Sequence, residues 1–235
     1  MMQLFEKTKE KIVFETDMDI GLANAIRRSV NEIVILAIDE VDIYKNDSAL
    51  YDEIIAHRLG LVPLENQRLK EGKELVFKLK AKGSGSGSVV VSGALGNGII
   101  HDDMPIVLLE KDQEIELVAK ARVGKGKEHA KFVPGLVYYK HMPKITIAKE
   151  GEKNEELAKI YPGVFEFNEK LKVKDEWKAN FDEEDMEDYK GVEINFTDNL
   201  VFFIESWGQI EAKEIFIESC KALKENLKEL SKEIK

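Results

Sequence analysis

Hydrophobic and polar positions divide the first third of the chain into clear segments. Residues 4–8 (LFEKT) and 11–16 (KIVFET) alternate with the two-residue period of a strand and predict two short strands or a hairpin. The period then lengthens. Leu22, Ile26, Val30 and Ile33 recur at four, four and three residues, which puts one apolar stripe on a helix. Asp17 or Asp19 can cap it, because a carboxylate there accepts free backbone N–H groups. Residues 35–44 are rich in branched side chains and predict a strand. Asn46-Asp47-Ser48 reads as a turn. Residues 51–59 predict a short helix closed by Gly60 and then Pro63.

From Glu74 onward strands and turns take over. Residues 75–82 alternate, and so do 89–95; the GSGSGS between them (83–88) predicts a hairpin loop. A loop at Asp102-Asp103-Met104-Pro105 precedes a strand at 106–110. Further strands are predicted at 114–123 and 144–148, with a Gly/Lys loop, GKGKEHAKF, at 124–132. Residues 149–191 differ in character. Between Asp175 and Asp188 eight acids face one lysine, so this stretch predicts a solvated, partly mobile insert. Residues 192–195 and 200–204 then predict a hairpin around Thr197-Asp198-Asn199. From about Glu211 a long helix closes the chain. On it Phe216, Cys220, Leu223, Leu227, Leu230 and Ile234 repeat at four-three-four-three-four, a narrow seam suited to a partner helix.

Composition narrows the function classes. A net charge of −10 with no long basic run does not suit a chain that grips duplex DNA by itself. One cysteine, Cys220, excludes an internal disulfide and a Cys-rich zinc or iron–sulfur site. The N-terminal stretch lacks the apolar core of a signal peptide, and no apolar run reaches the length of a membrane span. A cytoplasmic α+β protein is expected.

Candidate chemistry is sparse. Glu53 and His57 lie four apart on one helical face, either as an i,i+4 contact or as two metal ligands lacking an evident third. The loop at 124–132 lacks the spacing and the Ser/Thr of a phosphate loop. Arg27 and Arg28 point about 100° apart on their helix, so one is free for a bidentate contact with a carboxylate. Cys220 sits on the apolar seam and reads as a packed hydrophobe. No serine-hydrolase, zincin or two-metal motif is present. The pattern favours a scaffold over an enzyme.

Four phrases carry a resemblance. They are residues 21–29 (GLANAIRRS), 46–64 (NDSALYDEIIAHRLGLVPL), 124–132 (GKGKEHAKF, followed by Met142-Pro143-Lys144-Ile145) and 202–208 (FFIESWG). In this order they resemble the α-like subunits of cellular RNA polymerases, and among these the archaeal α-like type. The resemblance implies a discontinuous dimerisation domain from residues 1–45 and 192–235. It implies an inserted, mostly β α-like domain at 46–148 and a degenerate ferredoxin-like insert at 149–191. It also implies a non-catalytic assembly platform that pairs with subunit L and docks the two large catalytic subunits and the small subunits N and P. Interface positions would be Asn24, Ile26, Arg27 and Arg28 on the first helix, and Asp52, Glu53, His57, Arg58 and Gly60 on the second. Lys127, Glu128, His129 and Lys131 would dock from the loop, and Phe216, Leu223, Leu227 and Leu230 from the last helix. Many relatives bind iron–sulfur clusters in the insert; this one has no cysteine there, so no cluster, and no other cofactor or metal, is expected. The rival expectations are a stand-alone protein-interaction module and a small metal enzyme using Glu53 and His57.

Overall fold

The computed structural model describes residues 2–67, 73–85 and 87–234. In chain order it contains β1 (Gln3–Lys7), β2 (Lys11–Thr16), α1 (Ile20–Ser29), β3 (Val34–Asn46), α2 (Asp52–Gly60), β4 (Leu75–Lys82), β5 (Ser88–Val91) and β6 (Pro105–Leu109). There follow β7 (Glu114–Lys125), β8 (Gly135–Ile147), α3 (Glu155–Ile160), β9 (Phe165–Asn168), β10 (Lys170–Val173), α4 (Glu183–Met186), β11 (Val192–Ser206) and α5 (Ala212–Glu233). The chain is a mixed α/β protein with several small sheets. It divides into two compact units. One comprises residues 1–7, 12–23 and 138–203; the other comprises 8–11, 24–137 and 204–235.

The first unit is organised on a four-stranded sheet ordered β1-β2-β11-β8. The β1–β2 hairpin forms as the alternation predicts, with Leu4 opposite Phe14. One face stacks Phe14 on Phe202 at 5.5 Å. Against the other, Trp177 stacks on Phe5 at 5.6 Å and leans on Phe203 at 6.1 Å. The acidic 149–191 stretch is therefore folded. Leu157, Val164, Phe165, Leu171, Phe181 and Met186 bury together with Ile145, Val192 and Ile194. Its acids stay outside that apolar cluster, as a solvated face requires. Ile160, in the same stretch, stays outside this cluster and is 47% exposed.

The expected hairpin at 192–204 is one strand. Thr197, Asp198 and Asn199 have turn chemistry, but the side chains of Thr197 and Asn199 bond across the sheet instead. Thr197 Oγ1 donates to the Met142 carbonyl at 3.2 Å, and Asn199 Nδ2 donates to Glu15 Oε1 at 2.7 Å. Strand β8 likewise extends well beyond the predicted 144–148. It tolerates Pro143 because it is an edge strand.

The second unit contains a three-stranded sheet, β3-β7-β4, and the β5-β6 pair. Strands β4 and β5 therefore do not form the hairpin expected around 83–88, where Ser86 lies outside the described residues. Gly83 instead closes the turn before β7, donating to Gln113 O and accepting from Asp112 N–H. Ile55 and Leu59 of α2 pack into the core with Leu36, Ile38, Phe77, Leu79, Ile106, Leu109, Ile115 and Leu117. Helix α5 packs by its first half against the turn Val30–Glu32.

Two helix details differ from expectation. Asp19 is the cap of α1, its Oδ1 accepting from the N–H groups of Gly21 and Leu22 at 2.7 and 3.3 Å. Leu22 of the expected stripe is 48% exposed, and Ala23 takes the buried position. Gly60 is not a left-handed cap; it is the last residue of α2, and Leu61 ends the helix at φ −91°.

Candidate protein-interaction site

On α1, Asn24 braces Arg27: its Oδ1 accepts from the guanidinium Nε and a terminal nitrogen at 3.2 and 2.9 Å. That bond fixes the plane of the half-buried Arg27, while Arg28 is exposed. Ile26, expected at an interface, is only 4% exposed and holds the helix from within.

Helix α2 offers a mixed face. The preceding turn is built by Asn46, whose Oδ1 accepts from Ser48 N–H and Oγ while its Nδ2 donates to Leu50 O and Asp52 Oδ1. Asp52 and Glu53 occupy the first turn and His57 and Arg58 the last, the arrangement the helix dipole favours. Arg58 also donates to the Ile106 carbonyl at 3.0 Å, which ties the helix end to β6. Ile55 and Leu59 face inward, leaving Glu53, His57, Ile54 and Tyr51 exposed, Tyr51 at 80%. Among the described residues no bond joins Glu53 to His57, and no group of three His, Cys, Asp or Glu could hold a metal ion.

The 124–132 loop is locked by charge. Strand β7 absorbs Gly124 and Lys125, and the ring of fully buried Phe132 folds back over Gly124. A Cβ there would lie 2.7 Å from that ring, so glycine is required by close approach. Arg122 and Lys131 approach the same ring, at 4.9 and 5.3 Å. Both bond Asp39, at 2.6 and 2.5 Å. Glu128 takes a second Arg122 nitrogen at 3.1 Å, and Glu32 pairs with Lys125 and Lys127, each at 3.2 Å. Burial alone would raise the pKa values of Asp39 and Glu32, but the hydrogen bonds from their basic partners outweigh it and hold both below the ordinary carboxylate range. Of the four loop residues expected to dock, Lys127, Glu128 and Lys131 thus make internal ion pairs. His129 is exposed, its Nδ1 accepting from Lys131 N–H at 3.2 Å.

On α5, Ala212, Ile215 and Ser219 are fully buried, while Phe216 and Leu223 are half-buried. Beyond Leu223 the seam turns out to solvent. Leu227 is 57%, Leu230 56% and Ile234 76% exposed. Cys220 is partly covered, and burial raises its thiol pKa, so it is a poor nucleophile and ligand.

Residues 38–134 match the RNA polymerase Rpb3/RpoA insert domain. DNA-directed RNA polymerase subunit Rpo3 of Pyrococcus horikoshii is 34% identical over 91% of this chain and 90% of its own length. The Rpo3 proteins of Methanocaldococcus jannaschii (31% identical, 95% of this chain and 92% of the relative) and Thermococcus kodakarensis (38%, 67% and 66%) are also similar. The chain belongs to the Rpo3 family of DNA-directed RNA polymerase subunits.

Within this Rpo3-family chain, several residues that matter were not evident in the sequence. Asp39, on β3, is far in sequence from the loop whose Lys131 it holds. Gln209 follows the FFIESWG phrase; its Nε2 donates to Leu36 O at 2.9 Å and lies 3.4 Å from Leu64 O. Gly208, at φ +95°, makes the turn that delivers it. The 149–191 stretch does not fit an iron–sulfur cluster. Clusters are held by cysteine thiolates, and this stretch has none. Phe165, Leu171, Phe181 and Met186 pack in its interior.

Proposed function

We propose that this chain is a non-catalytic assembly-platform subunit of an archaeal DNA-dependent RNA polymerase. RNA synthesis then takes place in the complex, on its large subunits, and this chain carries no active site. Its dimerisation domain is discontinuous, from residues 1–45 and 192–235, with 46–148 and 149–191 inserted. It works in the cytoplasm, binds no cofactor or metal and reads no DNA directly. No helix among the described residues is long and apolar enough to cross a membrane.

The observation that carries the reading is the exposed seam of α5 in a chain of this family. Three large apolar side chains, each more than half exposed along one stripe, cost free energy in water and gain it against a partner helix. Subunit L is that partner. The exposed face of α2, with Asp52, Glu53, His57 and Arg58, and the rigid loop bearing His129 serve the large subunits, and the small subunits N and P complete the platform.

The test is coexpression with an archaeal subunit L, followed by size-exclusion chromatography with light scattering. A one-to-one complex is expected, lost with Leu230→Asp. A folded monomer that ignores subunit L would reject the platform and restore the alternative of an interaction module outside transcription.

A further inference from the structure

Three of the four phrases described above contribute walls to one cavity in the second unit. Its volume is about 580 Å³. Leu61, Val62 and Pro63 come from the end of the α2 phrase, Lys131 from the locked loop, and Trp207 from the FFIESWG phrase; Leu136 closes the ring. Leu61, Leu136 and Trp207 are 46%, 45% and 43% exposed, so the large apolar side chains at this site face solvent.

The polar atoms around the cavity are almost all bonded already. Lys131 is paired with Asp39 at 2.5 Å. His101 Nε2 lies 3.2 Å from the Trp207 carbonyl, and Gln209 donates to Leu36 O. The Trp207 N–H donates to Pro134 O and the Ser206 N–H to Glu10 O. A small-molecule site orients its ligand with a few free, convergent polar groups; these are already bonded within the chain. What is left is apolar wall and one charge. The exposed Glu10 lines the same cavity, and among the described residues its carboxylate has no ion-pair partner.

We propose that this cavity seats an extended segment of another RNA polymerase subunit. An apolar side chain enters between Leu61, Leu136 and Trp207, and an adjacent lysine or arginine faces Glu10. The assignment rests on the assembly-subunit reading above. An anchor in a desolvated pocket supplies the affinity, and the rim charge sets register and rate of encounter. The volume suits a few side chains of a chain segment, not a whole helix laid along a groove.

The test uses polymerase reconstituted from separately purified archaeal subunits. The chain carries Cys220→Ser and Leu136→Cys, the new thiol labelled with benzophenone maleimide. A matched control places the label at Val89, which is 55% exposed and outside the cavity. After illumination, mass spectrometry should find one crosslinked segment of another subunit from Leu136→Cys, with a basic residue next to its apolar one, and not from Val89→Cys. Glu10→Lys should weaken retention of that subunit roughly tenfold, and Leu136→Asp by at least as much. If the labelled chain enters the polymerase and crosslinks to nothing, to itself, or to a segment without a basic residue, the cavity assignment fails while the platform stands. If the unlabelled chain does not enter the polymerase at all, both fail.

Discussion

Arg122 Nε donates to Asp39 Oδ2 at 2.6 Å across β7 and β3, and each of the two also takes a residue of the 124–132 loop, Arg122 pairing with Glu128 and Asp39 with Lys131. Asp39 is thus shared by both cations that approach the Phe132 ring, and Glu128 supplies the second negative charge to Arg122. Asp39→Asn should cost about 1–3 kcal/mol, less than a fully buried pair because the Arg122 side chain is 40% exposed. The sign of the pH dependence follows from the lowered folded pKa. Unfolded Asp titrates near about 3.9; the folded group titrates below that, so its contribution is complete above that value and is lost as pH falls through the folded pKa. Urea unfolding from pH 6 down to 3 should show an acid-side loss that is smaller in Asp39→Asn. Equal slopes in the two proteins would remove Asp39 from its central place.

Gly60 is a different kind of glycine. It lies within α2, and a Cβ on it would meet Ile38 O at 3.6 Å and the Lys131 side chain at 3.7 Å, which is ordinary contact. Gly60→Ala should therefore be tolerated and should stabilise by about 0.5–1 kcal/mol, because alanine loses less backbone freedom in a helix. A denaturant midpoint below that of the parent would show that the position is tighter than its contacts indicate.

Lys140 should give the chain an alkaline stability slope. Burial lowers its pKa from the usual 10.5 to about 8. Its ammonium donates to the Ala179 carbonyl and to Asn180 Oδ1 and lies 5.4 Å from the Phe203 ring. In the unfolded chain it stays protonated up to about pH 10.4. Between pH 8 and that value the unfolded state binds more protons, so stability rises with pH; below pH 8 the cost of the buried charge is fully present. Lys140→Met should flatten this part of the curve, read by thermal melts from pH 7.5 to 10. A slope unchanged by the substitution would assign the effect to other groups.

Periodicity was enough to find β1, β2 and the seam of α5, because each presents one apolar face over several residues, and the Gly60 and Pro63 breakers marked the end of α2. It failed where polar side chains have two uses. Thr197 and Asn199 would suit a turn, yet they serve as cross-strand donors within β11, a choice set by Met142 and Glu15 far away in sequence. The loop phrase was visible, but its ion pairs were not, since Asp39, which takes both Lys131 and Arg122, lies far earlier in the sequence on β3. Ile26 illustrates a third limit. A stripe predicts which residues are apolar, not whether their own chain or a partner covers them, and here the chain itself does.

The two halves of α5 should respond oppositely to truncation of their apolar side chains. Ile215 is fully buried, so Ile215→Ala removes core contacts and should cost about 2–5 kcal/mol in the isolated chain. Leu230 is 56% exposed, so Leu230→Ala should change the isolated chain by no more than about 0.5 kcal/mol. In the presence of subunit L the ranking should invert for binding: Leu230→Ala should weaken the complex while its own unfolding midpoint stays put. That dissociation of effects separates a seam kept for a partner from a merely frayed helix end. Loss of stability from Leu230→Ala in the isolated chain would mean that the seam is already covered by a second copy, and the midpoint should then depend on protein concentration.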